Sequence, residues 1–115
     1  MSRNYEVTLE ADLSAIKDDA VLVGRIVDSL AEEIQDWNQN GVGQLDSPDA
    51  SGSVGESFYI TLAGGTRPDE FARDFAANTY NRVDGFEFPL TLIVTFIEDA
   101  PFVRFAFGGA EEDEE

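Results

Sequence analysis

The sequence predicts an α+β fold, a two-layer sandwich with two helices on one face of an antiparallel or mixed sheet. Three observations predict it. Apolar and polar residues alternate over Tyr5–Glu10, Ser57–Ala63, Phe88–Ile97 and Phe102–Phe107. Apolar residues recur at steps of three and four over 23–37 and 71–83. Glycine, proline and small polar residues separate these stretches.

The first strand turns Tyr5, Val7 and Leu9 inward. A polar stretch follows with helix-capping residues at Asp12, Ser14, Asp18 and Asp19. Val23, Val27, Leu30, Ile34 and Trp37 then form the seam of a helix that stops near Asn38–Gly41. Residues 41–56 are rich in Gly, Ser, Asp and Pro; a short strand is expected at Val42–Asp46 and a mobile loop at Ser47–Gly55. The strand Ser57–Ala63 has Phe58, Ile60 and Leu62 on one face, and Gly64-Gly65 turns the chain. Thr66 is the expected cap of a second helix, with Pro68 in its first turn; Phe71, Ala72, Phe75, Ala76, Thr79, Tyr80 and Val83 are its buried face, and Gly85 is its stop. Phe88–Ile97, the hairpin Glu98–Pro101 and Phe102–Phe107 complete the sheet, with Val103, Phe105 and Phe107 inward.

The resulting order is βαββαβ plus one added C-terminal strand, a ferredoxin-like plan. Without a strand at Val42–Asp46 the order becomes βαβαββ. A single α+β domain over 1–109 and an acidic, disordered tail over 110–115 are expected.

Charge is the dominant chemical signal. Twenty-four Asp and Glu stand against seven Lys and Arg, a formal −17 on 115 residues. Removing the Glu111–Glu115 run still leaves −12 on the body. Such self-repulsion destabilises a compact state, so the surplus calls for a cationic partner, high salt or a solubility role. On the first helix Asp28, Glu32 and Asp36 repeat every four residues, with Glu33 beside them. Adjacent members lie about 6 Å apart along the axis, close to two phosphate steps on a DNA strand at about 6.8 Å. This arrangement breaks two local rules. Like charges at i, i+4 repel, and acids near a helix C-terminus oppose the macrodipole. Local rules tend to fail at functional sites, although a charge run is most often a solvated face. These four residues are the first candidates for partner contacts. Glu6, Glu10, Asp46 and Asp49 are secondary. The open sheet face is expected to carry Glu6, Glu10, Tyr59, Thr61, Thr91 and Thr95, a mixture suited to a protein interface.

Other function classes are disfavoured. There is no cysteine and no histidine, so thiolate chemistry is absent and the commonest base and metal ligand are missing. Gly64-Gly65-Thr66 lacks the lysine and spacing of a P-loop. Asp46-Ser47-Pro48-Asp49 lacks EF-hand spacing and reads as an Asx-turn. No catalytic residue, cofactor or metal is expected, and the chain is read as a non-enzyme. Direct nucleic-acid binding is disfavoured because the seven basic residues are scattered. Without a signal-peptide or membrane-span pattern, the cytoplasm is the expected location.

In size, in the Asp28-Glu32-Glu33-Asp36 stripe, in the Glu111–Glu115 tail and in its lack of catalytic residues, the chain resembles the acidic phage-encoded inhibitors, anti-CRISPR and anti-restriction proteins among them. No aligned motif carries the resemblance, so no residue role transfers with it. It implies a DNA mimic that occupies the cationic channel of a nucleic-acid-binding protein, in the host cytoplasm if phage-encoded. Some members of that group have ferredoxin-like α+β folds. Two alternatives fit the charge as well: a salt-adapted domain, to which one Lys against six Arg also points, and an immunity protein that neutralises a basic nuclease toxin.

Overall fold

The computed structural model describes residues 3–37 and 49–108. Within them the order is β1 (Arg3–Asp12), a single 3-10 turn (Ser14–Ile16), α1 (Ala20–Trp37), β2 (Ser53–Leu62), α2 (Pro68–Arg82), β3 (Leu90–Phe96) and β4 (Phe102–Phe107). The strands form one antiparallel sheet in the order β2-β1-β3-β4. Because β2 and β3 both run antiparallel to β1, they are parallel to each other, and α2 is the crossover between them. The fold is α+β with two helices and a four-stranded sheet. Val42–Asp46, Ser47–Pro48 and the 110–115 tail lie outside the described residues.

Period-two alternation sets the inner sheet face. Val7, Leu9, Phe58, Ile60, Leu90, Leu92 and Val94 are buried beneath Ile26, Leu30, Ile34, Phe71 and Phe75 of the two helices. Phe58 stacks on Phe75, and Phe75 tilts against Phe71. Burying one such aromatic contributes about 1.5–3 kcal/mol.

Three local expectations change. First, β2 begins at Ser53, so the loop expected through Gly55 is shorter. Asp12 pairs with Ser53 and Ala11 with buried Val54. Glu56 sits in register with Leu9 on the helix side yet remains exposed, which interrupts the apolar alternation. Second, the cap position of α2 is Arg67, not Thr66. The Glu70 carboxylate reaches back to accept the Arg67 N–H at 3.0 Å, and Pro68 follows at the first helical position. Third, the buried face of α1 is rotated from the expected seam. It centres on Ile26, Ser29, Leu30, Glu33 and Ile34, with Val23, Val27 and Trp37 only partly buried. Trp37 packs edge-on to Phe71 of α2, with ring centroids 4.8 Å apart.

Two glycines fix the ends of the sheet. Gly52 has φ +89°, and a Cβ there would lie 2.7 Å from Ser14 Cα. Its carbonyl accepts the Leu13 N–H at 2.8 Å, which holds the Asp49–Ser53 turn against the end of β1. Gly108, with φ +69°, ends β4 directly against the Phe88 carbonyl and the Tyr80 hydroxyl. That hydroxyl donates to the same carbonyl at 2.8 Å. Burial, with a smaller contribution from Glu87, pushes the Tyr80 phenol above its ordinary range.

Candidate functional site

The rotation of α1 divides the four acids of the helix stripe. Asp28, Glu32 and Asp36 are exposed. Glu33 is 1% exposed and points into the space between the helices. Its Oε2 accepts from Trp37 Nε1 at 2.8 Å and from Asn78 Nδ2 at 3.0 Å; its Oε1 accepts from an Arg82 terminal nitrogen at 2.8 Å. Glu33 is therefore a structural carboxylate that ties α1 to α2, and its assignment to a partner-facing surface is corrected. A buried carboxylate is stable only when paired and hydrogen-bonded, and all three donors here supply that.

Arg82 also answers the two broken helix rules. Its guanidinium lies 3.0 Å from Asp36 and 3.8 Å from Glu32 as well as 2.8 Å from Glu33. Burial opposes the charge on Arg82, but the hydrogen bond to Asp36 and the nearby Glu33, Asp36 and Glu32 charges win and hold it above its ordinary range. The acids that seemed unrelieved in sequence share one cation from α2. The stripe keeps a surplus: three carboxylates share one guanidinium, and Asp28 forms no ion pair among the described residues.

Three other arginines are also paired. Arg25 pairs with Asp84, while Arg67 and Arg73 both hold Asp69. Arg3 lies over the Phe96 ring. Three carboxylates outside these pairs lie together at one end of the sheet. Glu10, Asp12 and Asp49 line a shallow cleft with Ser53, Gly55 and Thr91, and among the described residues no cation lines it. Asp49 also lines the adjoining depression beside Asp28 and Lys17, so the cleft runs toward the start of the helix stripe.

The local chemistry of this end is partly committed. Asp49 Oδ1 accepts the Ser51 hydroxyl at 2.6 Å and the Ser51 and Ser53 amides at 2.9 and 3.1 Å, an Asx-turn as expected of this residue. Those bonds, the Ser51 hydroxyl first, hold its carboxyl below the usual aspartate range. Asp12 is lowered in the same way by Ser14. Asp49 thus keeps Oδ2 for any outside partner. Asp46 lies outside the described residues. Among the described residues, no cluster of carboxylates is arranged to hold a metal ion, and no helix is long and apolar enough to cross a membrane.

Glu6 stands apart from this end, on the open sheet face. Pairing places Tyr59, Glu6, Thr95 and Phe102 in one row across all four strands. The next row is Ser57, Thr8, Ile93 and Arg104. Tyr59 and Phe102 are 60% and 66% exposed. The sequence reading found Tyr59 and the acids of this face. It missed Phe102, because the alternation there assigned Val103 and Phe105 inward; Val103 shares the helix side with Phe105 but is 50% exposed, which corrects that expectation.

Comparison with protein-family models, with curated proteins and with solved structures found no match.

Proposed function

We propose that the protein is a small acidic inhibitor that binds a cationic nucleic-acid-binding protein or complex, a CRISPR effector or similar host defence, and blocks access of DNA by mimicking phosphate-backbone charge. One observation carries the reading. The exposed carboxylates Asp28, Glu32 and Asp36 lead, past Lys17, to the cleft of Glu10, Asp12 and Asp49, which no cation lines among the described residues. A series of fixed anions along one side of a compact body suits a Lys- and Arg-lined channel, where complementarity speeds encounter and excludes wrong partners. Glu33 has no part in it, since its carboxylate is buried. Glu6 belongs to the open sheet face and lies apart from this series. Asp46 stays assigned on sequence grounds alone.

The ferredoxin-like plan belongs to the same proposal. A strand at Val42–Asp46 on the free edge of β2, parallel to β1, would complete the split βαβ arrangement and leave β4 as the added strand.

The test is a triple neutralisation, Asp28→Asn, Glu32→Gln and Asp36→Asn, assayed for capture of partners from a lysate of the source cells. Binding should weaken in the variant, fall as salt rises, and be competed by duplex DNA. The exposed pairs of Glu32 and Asp36 with Arg82 are worth about 0–1 kcal/mol each, so the variant stays folded. Unchanged capture by a folded variant would remove the stripe from the account. Simultaneous binding of DNA and this protein to one partner would remove the mimicry.

A further inference from the structure

Both helices pack on one face of the sheet, and no described element covers the other. Large apolar side chains stand on that open face. Tyr59 and Phe102 are 60% and 66% exposed, at the two ends of one row, on β2 and β4. Ile97 is 47% exposed. Its N–H bond to the Asn4 carbonyl carries the β1–β3 ladder one residue further, and alternation turns it to the same face. Apolar groups gathered on one exposed face mark an interaction surface, whereas single scattered ones do not.

The floor of this face has two sides. The central strands β1 and β3 lie next to each other. β1 presents Glu6, Thr8 and Glu10, an acidic line; β3 presents Ile93, Thr95 and Ile97, an apolar one. Glu6 is half-buried and, like Glu10, forms no ion pair among the described residues. Among those residues the one cation of the face is Arg104, which pairs with Ile93 on β4, two strands from β1. It leaves the acidic line unmatched.

We propose that the open face docks a basic amphipathic helix of a partner protein, laid along β1 and β3 with its cationic side on Glu6 and its apolar side on Ile93 and Ile97. Charge and shape both select that occupant. Unpaired carboxylates on a chain of −17 attract Lys and Arg, and they repel an acidic segment or a second copy. The two outer strands are three strand spacings apart, about 14 Å. Tyr59 and Phe102 therefore wall a trough wide enough for a helix of about 10–12 Å diameter. The two lines of the floor match the two sides of such a helix, which is the helix-in-groove mode of recognition. From Asn4 to Glu10 the trough runs about 20 Å, which places the contact in the small, transient class. The face lies on the other side of the sheet from α1, so this contact is separate from the exposed helix stripe and does not rest on it.

The probe is a synthetic peptide of about 18 residues, roughly 27 Å long as a helix, with arginine along one side and leucine along the other. A scrambled isomer has the same charge and no apolar side. Each is titrated into the isotope-labelled full chain up to about 1 mM. The amphipathic peptide should give its largest amide shifts at Glu6, Thr8, Ile93 and Thr95, and the scrambled one should bind about tenfold more weakly. Tyr59→Ser and Phe102→Ser change exposed side chains and should each weaken binding about tenfold. Glu6→Gln should weaken it at about 50 mM salt and much less at about 500 mM. The Asp28→Asn, Glu32→Gln, Asp36→Asn variant should bind the peptide within about twofold of wild type, which separates this face from the stripe. Thermal melts followed by Trp37 fluorescence check that each variant is folded. Equal binding of the two peptides, largest shifts on α1, or no binding at about 1 mM would overturn the proposal. So would shifts of this face with protein concentration alone, the mark of a second copy as occupant.

Discussion

Arg82→Ala is the sharpest perturbation of the interface between the helices. Glu33 Oε1 has one hydrogen-bond partner among the described residues, an Arg82 terminal nitrogen at 2.8 Å, while Trp37 and Asn78 both serve Oε2. Truncating Arg82 leaves Oε1 unpaired on a side chain that is 1% exposed. Breaking a buried ion pair from one side costs about 3–5 kcal/mol. The Arg82 side chain is itself 31% exposed, so water can reach part of the vacated space and the expected cost falls to about 2–3 kcal/mol. For a domain of this size that lowers Tm by about 10–20 °C. The natural probe is fluorescence of Trp37, the sole tryptophan, which touches both Glu33 and Phe71. The control is the same truncation in a Glu33→Gln background, where no charge is left stranded and the added cost should be about 1 kcal/mol or less. Arg82→Lys should not restore the wild-type value, because one ammonium cannot span Glu33 and Asp36 as the guanidinium fork does. Equal cost of Arg82→Ala in both backgrounds would refute the assignment of Glu33 as a paired structural carboxylate.

Three further outcomes are expected. Thr79 is fully buried and its hydroxyl has no hydrogen-bond partner among the described residues, so Thr79→Val, of nearly the same shape, should raise stability by about 1 kcal/mol in urea denaturation. Gly52→Ala combines a positive φ with a clash on the Ser14 backbone and should cost about 1–3 kcal/mol; thermal melts read it directly. Asp49 and Asp12 have carboxyls lowered by folding, so their contribution is present above the ordinary aspartate range and is lost as pH falls through the lower folded values. The Ser51 and Ser53 amide resonances should therefore shift at a pH below that of a free aspartate, and a midpoint at the free-aspartate value would contradict the Asx-turn assignment.

Much of the layer architecture was legible in sequence because it rests on alternation and periodicity. Tyr5–Leu9, Leu90–Val94 and the Phe71–Val83 seam are buried as their spacing dictates. What was hidden depends on distant partners. Glu33 reads as a surface charge because its neighbours in sequence are acidic, while the cation that buries it arrives from α2, 49 residues downstream. Ile26 then shares the seam that spacing alone had assigned to Val23 and Val27. Gly55 and the exposed Glu56 masked the first residues of β2. The candidate site was legible only as composition. The sequence supplied the carboxylates, but the cleft of Glu10, Asp12 and Asp49 exists because the Gly52 turn folds back on the end of β1.

The central claim is that exposed carboxylates are recognised by a cationic macromolecule in place of a polynucleotide. The most direct measurement is affinity capture from a source-cell lysate by wild-type protein and by the Asp28→Asn, Glu32→Gln, Asp36→Asn variant, between about 50 and 200 mM salt. The account predicts that the wild type retains a nucleic-acid-binding protein at low salt, releases it to duplex DNA or higher salt, and that the variant retains far less. Capture of no cationic protein by the folded wild type, or a fold that forms only in molar salt, would contradict it.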